Sequence, residues 1–438
     1  MLKRIHVQHL TLGMHIHEFC GSWMEHPFWR TQFTLTDPKD LASIRATTIK
    51  EVWIDVGRGL DVAPGIASTS QAEAEAQVEN TFQHLNDGPV TTETRASVPP
   101  PSALRDQRPT SMAQELETAA AICRQSKTAV ASMFNEARLG KATDTHRMRD
   151  LVEDISSSVI RNPGALISLA RLKTADDYSY MHSVAVCALM VALARQLQLD
   201  AEQTRIAGMA GLLHDLGKAT IPLHVLNKPG KLTDAEFAVV RHHPVAGWEM
   251  LRQGGKTDVA VLDACRHHHE KIDGTGYPDG LTGEHIHLIA KMTAICDVYD
   301  AITSNRPYKA GWDPAESLRR MAQWSEGHFD LQLFHAFVKS IGIYPAGSLV
   351  RLSSERLGVV TDQNRSTLTA PWVKVFYCTR TKQRIPPETI DLSQPGCNEK
   401  ITAREDPEQW HFPDLIRLWS GFDISHHHTL APAPPSAA

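Results

Sequence analysis

Residues 178–218 read YSYMHSVAVCALMVALARQLQLDAEQTRIAGMAGLLHDLGK. From Ser179 to Leu199 the run is apolar enough to form a helix at the centre of a helical bundle. Its densest part, Val184 to Ala194, is cut off by Arg195 and is too short to span a bilayer. His182 lies inside this helix, and the pair His214-Asp215 follows in GLLHDLGK.

Working outward, nearly everything from Ser111 to about Ile341 reads as helix. Met148, Val152, Ile155 and Val159 recur at helical spacing, and NKPGKLT and IDGTGYPDGLTG mark loops. Residues 1–65 read as a small α/β domain. IHVQHL, MHIHEF and VWIDVG are strand-like, with a helix opened by Asp37 and Pro38 between them. Residues 66–110, rich in Ala, Glu, Gln, Thr, Ser and Pro, read as a linker, flexible or partly helical. Residues 342–395 carry SLVRLS, LGVVTD and WVKVFY, the strands of a small β unit. Residues 396–438 read as a largely disordered tail. The expected fold is mainly α: a helical bundle at 111–341, with a small N-terminal α/β domain and a small C-terminal β unit.

The 438 residues suit about three domains. A formal net charge of −5 argues against a duplex nucleic-acid partner. Seven scattered cysteines without a CxxC pair argue against a disulfide framework or a zinc knuckle, and fit the cytoplasm. No apolar run follows the basic residues of MLKRIHVQHL, so no signal peptide is expected. The unusual feature is the 23 histidines, many of them between His182 and His287 near acidic residues. Histidine is the commonest metal ligand.

The metal-capable residues of the helical region are His182, His214-Asp215, His242-His243, the triplet His267-His268-His269 before Glu270, and Asp297. Helices can aim such side chains at one interior point. Adjacent His and Asp on a helix differ by about 100° in direction and reach different parts of one site. Imidazoles and carboxylates without thiolate suit Fe or Mn better than a structural zinc site. Two metals about 3.5–4 Å apart activate water and polarise a phosphoryl oxygen, the chemistry of phosphodiester hydrolysis.

YxxxHS, LLHDLGK, KPGKLT, HHP, HHEKIDGTGYPDGLTG, DVYDAITSNRPYK and GHFD together resemble the HD-GYP family, a branch of the HD superfamily, over roughly residues 165–340. Residues 1–65, with GSWMEHPFW and VWIDVGRG, resemble the N-terminal domain of unknown role often found before that module. The resemblance implies hydrolysis of cyclic di-GMP to pGpG or GMP with two divalent metals, Fe or Mn. It implies the ligands His182, His214, Asp215, His243, His268, His269 and Asp297, with Asp215 bridging. It makes His214, Asp215 and Lys218 the catalytic group, with Lys218 on the scissile phosphate. Arg306 and Lys309 would contact the nucleotide, and Gly276, Tyr277 and Pro278 would shape the loop beside it. Asp300 would line or support the site and pair with Lys218. Some relatives carry a Glu one turn before the first His to recruit a third metal; here Tyr178 stands there, so two are expected.

Bland readings hold elsewhere. His267 reads as a helix-surface residue, His15 and His17 as a solvent-facing pair, and His426 to His428 as part of the tail. Two alternatives stay open: a receptor that binds a cyclic dinucleotide without turnover, and a phosphohydrolase of another cyclic or linear nucleotide. A GGDEF-type diguanylate cyclase partner follows from family analogy alone. Helices near 111–160 offer a surface for a homodimer.

Overall fold

The computed structural model describes residues 1–20, 32–47, 49–84, 108–141, 145–171, 178–228, 232–255, 257–304, 311–364 and 367–421. The N-terminal unit contains β1 (Leu2–His6), β2 (His15–Cys20), β3 (Phe33–Thr34), α1 (Pro38–Arg45), β4 (Glu51–Asp55), β5 (Thr69–Ser70) and α2 (Gln71–His84). Its strands form an antiparallel sheet in the order β3-β2-β4-β1-β5, with β1 and β4 in register from Leu2↔Asp55 to His6↔Glu51. Ile5, Ile16, Phe19, Val52 and Ile54 meet Ile44 of α1 in a small core of its own. Asp37 caps α1 through the Lys39 amide, and Pro38 occupies the first turn. The segment 21–31, with its aromatic residues, lies outside the described residues.

The helical domain comprises α3 (Met112–Arg138), α4 (Thr145–Arg161), α5 (Pro163–Arg171), α6 (Tyr178–Gln196), α7 (Ala201–Leu213), α8 (Leu223–Leu226), α9 (Asp234–Arg241), α10 (His243–Gly254), α11 (Val259–His267), α12 (Leu288–Thr303), α13 (Pro314–His328) and α14 (Leu331–Ile341). Helix α6 is the axis, with α3, α5, α7, α12 and α14 packed around it. Every residue from Val184 to Ala194 is buried, which explains an apolar sequence on all faces. Between α7 and α8, a short 3-10 turn at Leu216–Thr220 lies against α10. Gly217 permits that approach, since a Cβ there would fall 1.9 Å from the His243 carbonyl oxygen.

One buried ion pair ties α3 to α4. Glu115 accepts from Nε of Arg161 at 2.7 Å, from Nη2 of Arg161 at 2.8 Å and from Ser158 at 2.8 Å. Removing one partner of a buried pair strands the other in low dielectric. Glu115→Ala is therefore expected to lower stability by about 3 kcal/mol, the low end of the range, because Arg161 keeps some solvent contact. The shift of the chemical-denaturation midpoint measures it, and an unchanged midpoint would remove the pair from the account.

Two boundaries differ from expectation. The linker read at 66–110 contains α2, whose Val78 and Phe82 sit in the core of the helical domain. Ala74, Val78 and Phe82 recur every four residues, a buried stripe in a sequence whose composition alone looks like a spacer. The tail read at 396–438 is folded as far as Gly421. The C-terminal sheet contains β6 (Leu349–Leu352), β7 (Arg356–Asp362), β8 (Trp372–Cys378), β9 (Gln383–Asp391) and β10 (Ile401–Arg404), in the order β10-β6-β7-β8-β9. Beyond it, α15 (Pro407–Trp410) and α16 (Leu415–Ser420) close the described chain, with Trp419 buried. The sheet's Leu349, Val359, Val373 and Val375 are continuous with the helical core.

The N-terminal unit also touches the helical domain through charge. Lys50 Nζ lies 2.6 Å from Asp273 Oδ2, and Glu18 pairs with Arg320 of α13. Among the described residues no helix is long and apolar enough to cross a membrane.

Candidate metal centre

The structure brings His182, His214, Asp215, His243, His268, His269 and Asp297 into one cluster. His182 comes from α6, and His214 caps the C-terminus of α7 with Asp215 behind it. His243 opens α10, His268 caps α11, and Asp297 lies on α12. The six other than His269 are at least 92% buried, because the largest exposure among them is the 8% of Asp297. His269 is only half-buried, so the cluster opens on its side.

The histidines are oriented from behind. Nδ1 of His214 hydrogen-bonds the Gly211 carbonyl at 2.8 Å, and that of His243 the Val240 carbonyl at 2.7 Å. Nδ1 of His268 meets the Cys265 carbonyl at 2.9 Å, and that of His182 meets Asp300 Oδ2 at 2.6 Å. A carbonyl or carboxylate can only accept, so each Nδ1 carries the proton and each Nε2 turns inward. Nε2 of His243 and of His268 face each other at 3.2 Å.

Asp215 stands between two halves of the cluster. Its Oδ2 lies 3.4 Å from Nε2 of His182 and 3.3 Å from Nε2 of His214. Its Oδ1 lies 3.2 Å from Nε2 of His243 and 3.8 Å from Nε2 of His268. Asp297 Oδ1 joins the first half, 3.0 Å from Nε2 of His182. Nε2 of His214 and Oδ1 of Asp215 are buried and make no hydrogen bond among the described residues. Buried polar atoms without a partner are rare, and a cation supplies one. Three triads of this cluster have donor atoms within 4.8 Å of one another: His182-His214-Asp215, His214-His268-Asp297 and His243-His268-His269.

Electrostatics separates these groups. Burial drives the Asp215 carboxyl up, but His214 and Lys218 outweigh it and hold the group well below the usual carboxylate range. Asp297 is likewise raised by burial and pulled well below that range by His182. His268 is pushed down to about 3 by burial and by its neighbours His214 and His243. His269 is also driven well down, by burial first and then by His268 and His243. Both are therefore neutral imidazoles at neutral pH, the form that binds metal.

Lys218 reaches the open side, with Nζ 2.5 Å from Asp215 Oδ2. This corrects the expected pairing of Lys218 with Asp300. Asp300 is 2% exposed, and sits behind His182, where it also accepts from Ser304 at 3.2 Å. It faces the rear of a ligand-competent ring. His267 turns away from the cluster to Asp263 and Asp279, both at 2.9 Å. Arg306, Lys309, the side chain of Tyr178 and His426 to His428 lie outside what is described.

The loop after His269 is organised by Glu270, to which the sequence assigned no role. Its buried carboxylate accepts from the amides of Asp279 at 2.7 Å, Gly280 at 3.0 Å and Leu281 at 3.0 Å. The readable signal was a carboxylate just ahead of a glycine-rich turn whose amides need acceptors. Gly276 passes so close that a Cβ would fall 2.4 Å from Glu270 Cα. The turn lays the Tyr277 ring on His269, with centroids 4.8 Å apart.

An HD-type helical frame carrying a two-sided His/Asp cluster defines an HD-domain metalloprotein. Comparison with known proteins agrees: residues 156–333 match the HD domain, and residues 2–148 match a domain of unknown function, DUF3391. The chain is 51% identical, over 96% of both lengths, to a cyclic di-GMP phosphodiesterase of Pseudomonas aeruginosa. It is 52% identical to a cyclic di-GMP phosphodiesterase response regulator of Xanthomonas campestris, over 27% of this chain and 32% of that one. A 3'3'-cGAMP-specific phosphodiesterase of Vibrio cholerae is 34% identical over 41% of this chain and 42% of its own. This chain belongs to the HD-GYP family of HD-domain proteins.

Proposed function

We propose that this protein is a metal-dependent phosphodiesterase that hydrolyses cyclic di-GMP, to pGpG or on to GMP. The observation that carries the reading is the two-sided Asp215, with one oxygen toward His182 and His214 and the other toward His243 and His268. Such a carboxylate suits two divalent cations: His182, His214 and Asp297 would hold one, and His243, His268 and His269 the other. The donor set, five imidazoles and two carboxylates, favours iron or manganese. The full-length relative named a cyclic di-GMP phosphodiesterase supports the substrate.

Bound in pairs, such metals lower the pKa of water and neutralise charge on a phosphoryl oxygen. The chain's own residues do the rest. Lys218 leaves Asp215 for the scissile phosphate and shares the negative charge that grows there. Tyr277, fixed by Gly276 and by the Glu270-anchored turn, walls the open side beside His269. Water adds to phosphorus, the phosphorus–ribose oxygen bond breaks, and the leaving oxygen takes a proton. A cyclic dinucleotide substrate and the free thiols of the described cysteines fit the cytoplasm. A GGDEF-type cyclase is the partner that family analogy supplies, and the helices near 111–160 would carry a homodimer contact.

Chromatography of cyclic di-GMP after incubation with protein purified anaerobically with Fe(II) or Mn(II) tests the reading. Conversion to pGpG or GMP is expected. Bound nucleotide without turnover in metal-loaded protein would replace it with the receptor reading.

Asp300 supplies a sharper check. An acceptor behind a metal-binding imidazole fixes its tautomer and raises its basicity, and losing it costs about 10–100-fold in metal affinity or activity. Asp300→Asn keeps the shape but not the charge, so a loss in that range is expected in metal titration and turnover. A variant with wild-type values in both would detach Asp300 from the site.

A further inference from the structure

We propose that Arg241, at the end of α9, binds the second phosphodiester of the cyclic dinucleotide, the one not being cut; this rests on the cyclic di-GMP reading above. Its side chain is exposed at the rim of the open side. The guanidinium carbon lies 4.5 Å from the centre of the Tyr277 ring, and that ring lies 4.8 Å from His269. Arg241 is thus one aromatic ring removed from the metal cluster. Stacking on Tyr277 holds the guanidinium plane without consuming its N–H donors.

Three other cations among the described residues are engaged. Lys218 is bonded to Asp215, Lys228 to Glu236 at 2.6 Å, and Arg266 to Asp279 at 2.7 Å. Arg241 has no carboxylate within ion-pair distance among the described residues. A cyclic dinucleotide carries two anionic phosphodiesters. With one at the metals beside Lys218, the other still carries a full charge and needs a cation of its own. A pre-oriented, unpaired guanidinium at the rim matches it, because the planar donor fork of arginine fits phosphate oxygens in pairs.

The test compares cyclic di-GMP with bis(p-nitrophenyl) phosphate, which has a single phosphodiester. In Arg241→Met the unbranched chain can still lie on Tyr277, but the charge is gone. The specificity ratio, kcat/KM for cyclic di-GMP over that for the small ester, is expected to fall about tenfold or more. The loss should fall mainly on KM for the dinucleotide, with partial recovery in Arg241→Lys. An unchanged KM for cyclic di-GMP would overturn the assignment alone. So would equal losses on both esters, which would make Arg241 a prop for Tyr277 and His269. If the wild type cleaves the small ester but neither binds nor cleaves cyclic di-GMP, the proposed function falls, and this assignment with it.

Discussion

Asp215→Ala protein, purified with manganese or iron supplied, is expected to carry far less metal than the wild type and to lose turnover of cyclic di-GMP by about 10³-fold or more. Metal stabilisation of a phosphoryl transition state is worth several kcal/mol, and each 1.4 kcal/mol is about tenfold in rate. Among the described residues, Asp215 is the carboxylate that reaches both halves of the cluster. It is 2% exposed, and its oxygens serve opposite halves of the cluster. Removing it leaves each half with imidazoles but no shared anion, and leaves Lys218 without its 2.5 Å acceptor. Asp215→Asn keeps the volume, but one carboxylate oxygen becomes an amide nitrogen, so it should lose bridging while retaining the fold. Metal analysis and single-turnover chromatography on the same preparations check both variants. An Asp215→Ala protein with its metal and turnover intact would end the bridging assignment.

The fold was legible where the sequence repeats one physical demand. A helix apolar on every side can only be an axis, and α6 is that axis. The site was legible because residues that are costly to bury occur at the ends of apolar helices, at His214 and His268. What stayed hidden was set by contacts distant in sequence. The composition around α2 suits a spacer, and only its docking on the helical domain shows why Val78 and Phe82 recur. Strand β9 contains Pro386 and Pro387, which argue against a strand until β9 proves to be the sheet edge, where proline is tolerated. Asp300 belonged behind His182 rather than beside Lys218, a direction that one-turn spacing from Asp297 could not supply. Glu270 looked like part of a motif, and its work is done by backbone amides that no side-chain pattern reveals.

Metal uptake by chelator-stripped protein should release protons and should tighten as pH rises. In the metal-free chain, burial works to lower the pKa of His182. Hydrogen bonds to Asp215, Asp297 and Asp300 more than reverse that, and carry it from 6.5 to about 10. His182 is therefore charged at neutral pH, with its Nε2 proton directed at Asp297 3.0 Å away. A metal must displace that proton, whereas His268 and His269 already present lone pairs. About one proton per chain is expected from His182, and affinity should rise about tenfold per pH unit from neutrality toward pH 10. The sign for stability runs the other way. The folded pKa lies above the unfolded value, so charged His182 stabilises the metal-free fold fully below pH 6.5. That contribution is lost as pH rises through about 10. Stabilisation by added metal should therefore grow across the same window, because tighter binding to the folded state is added stability. Calorimetric titration in two buffers of different ionisation enthalpy counts the protons, and denaturation midpoints with and without manganese at neutral and alkaline pH read the linkage. Metal uptake without proton release, and with the same affinity at both pH values, would mean that His182 is already neutral. Its contact with Asp300 would then orient the ring without charging it.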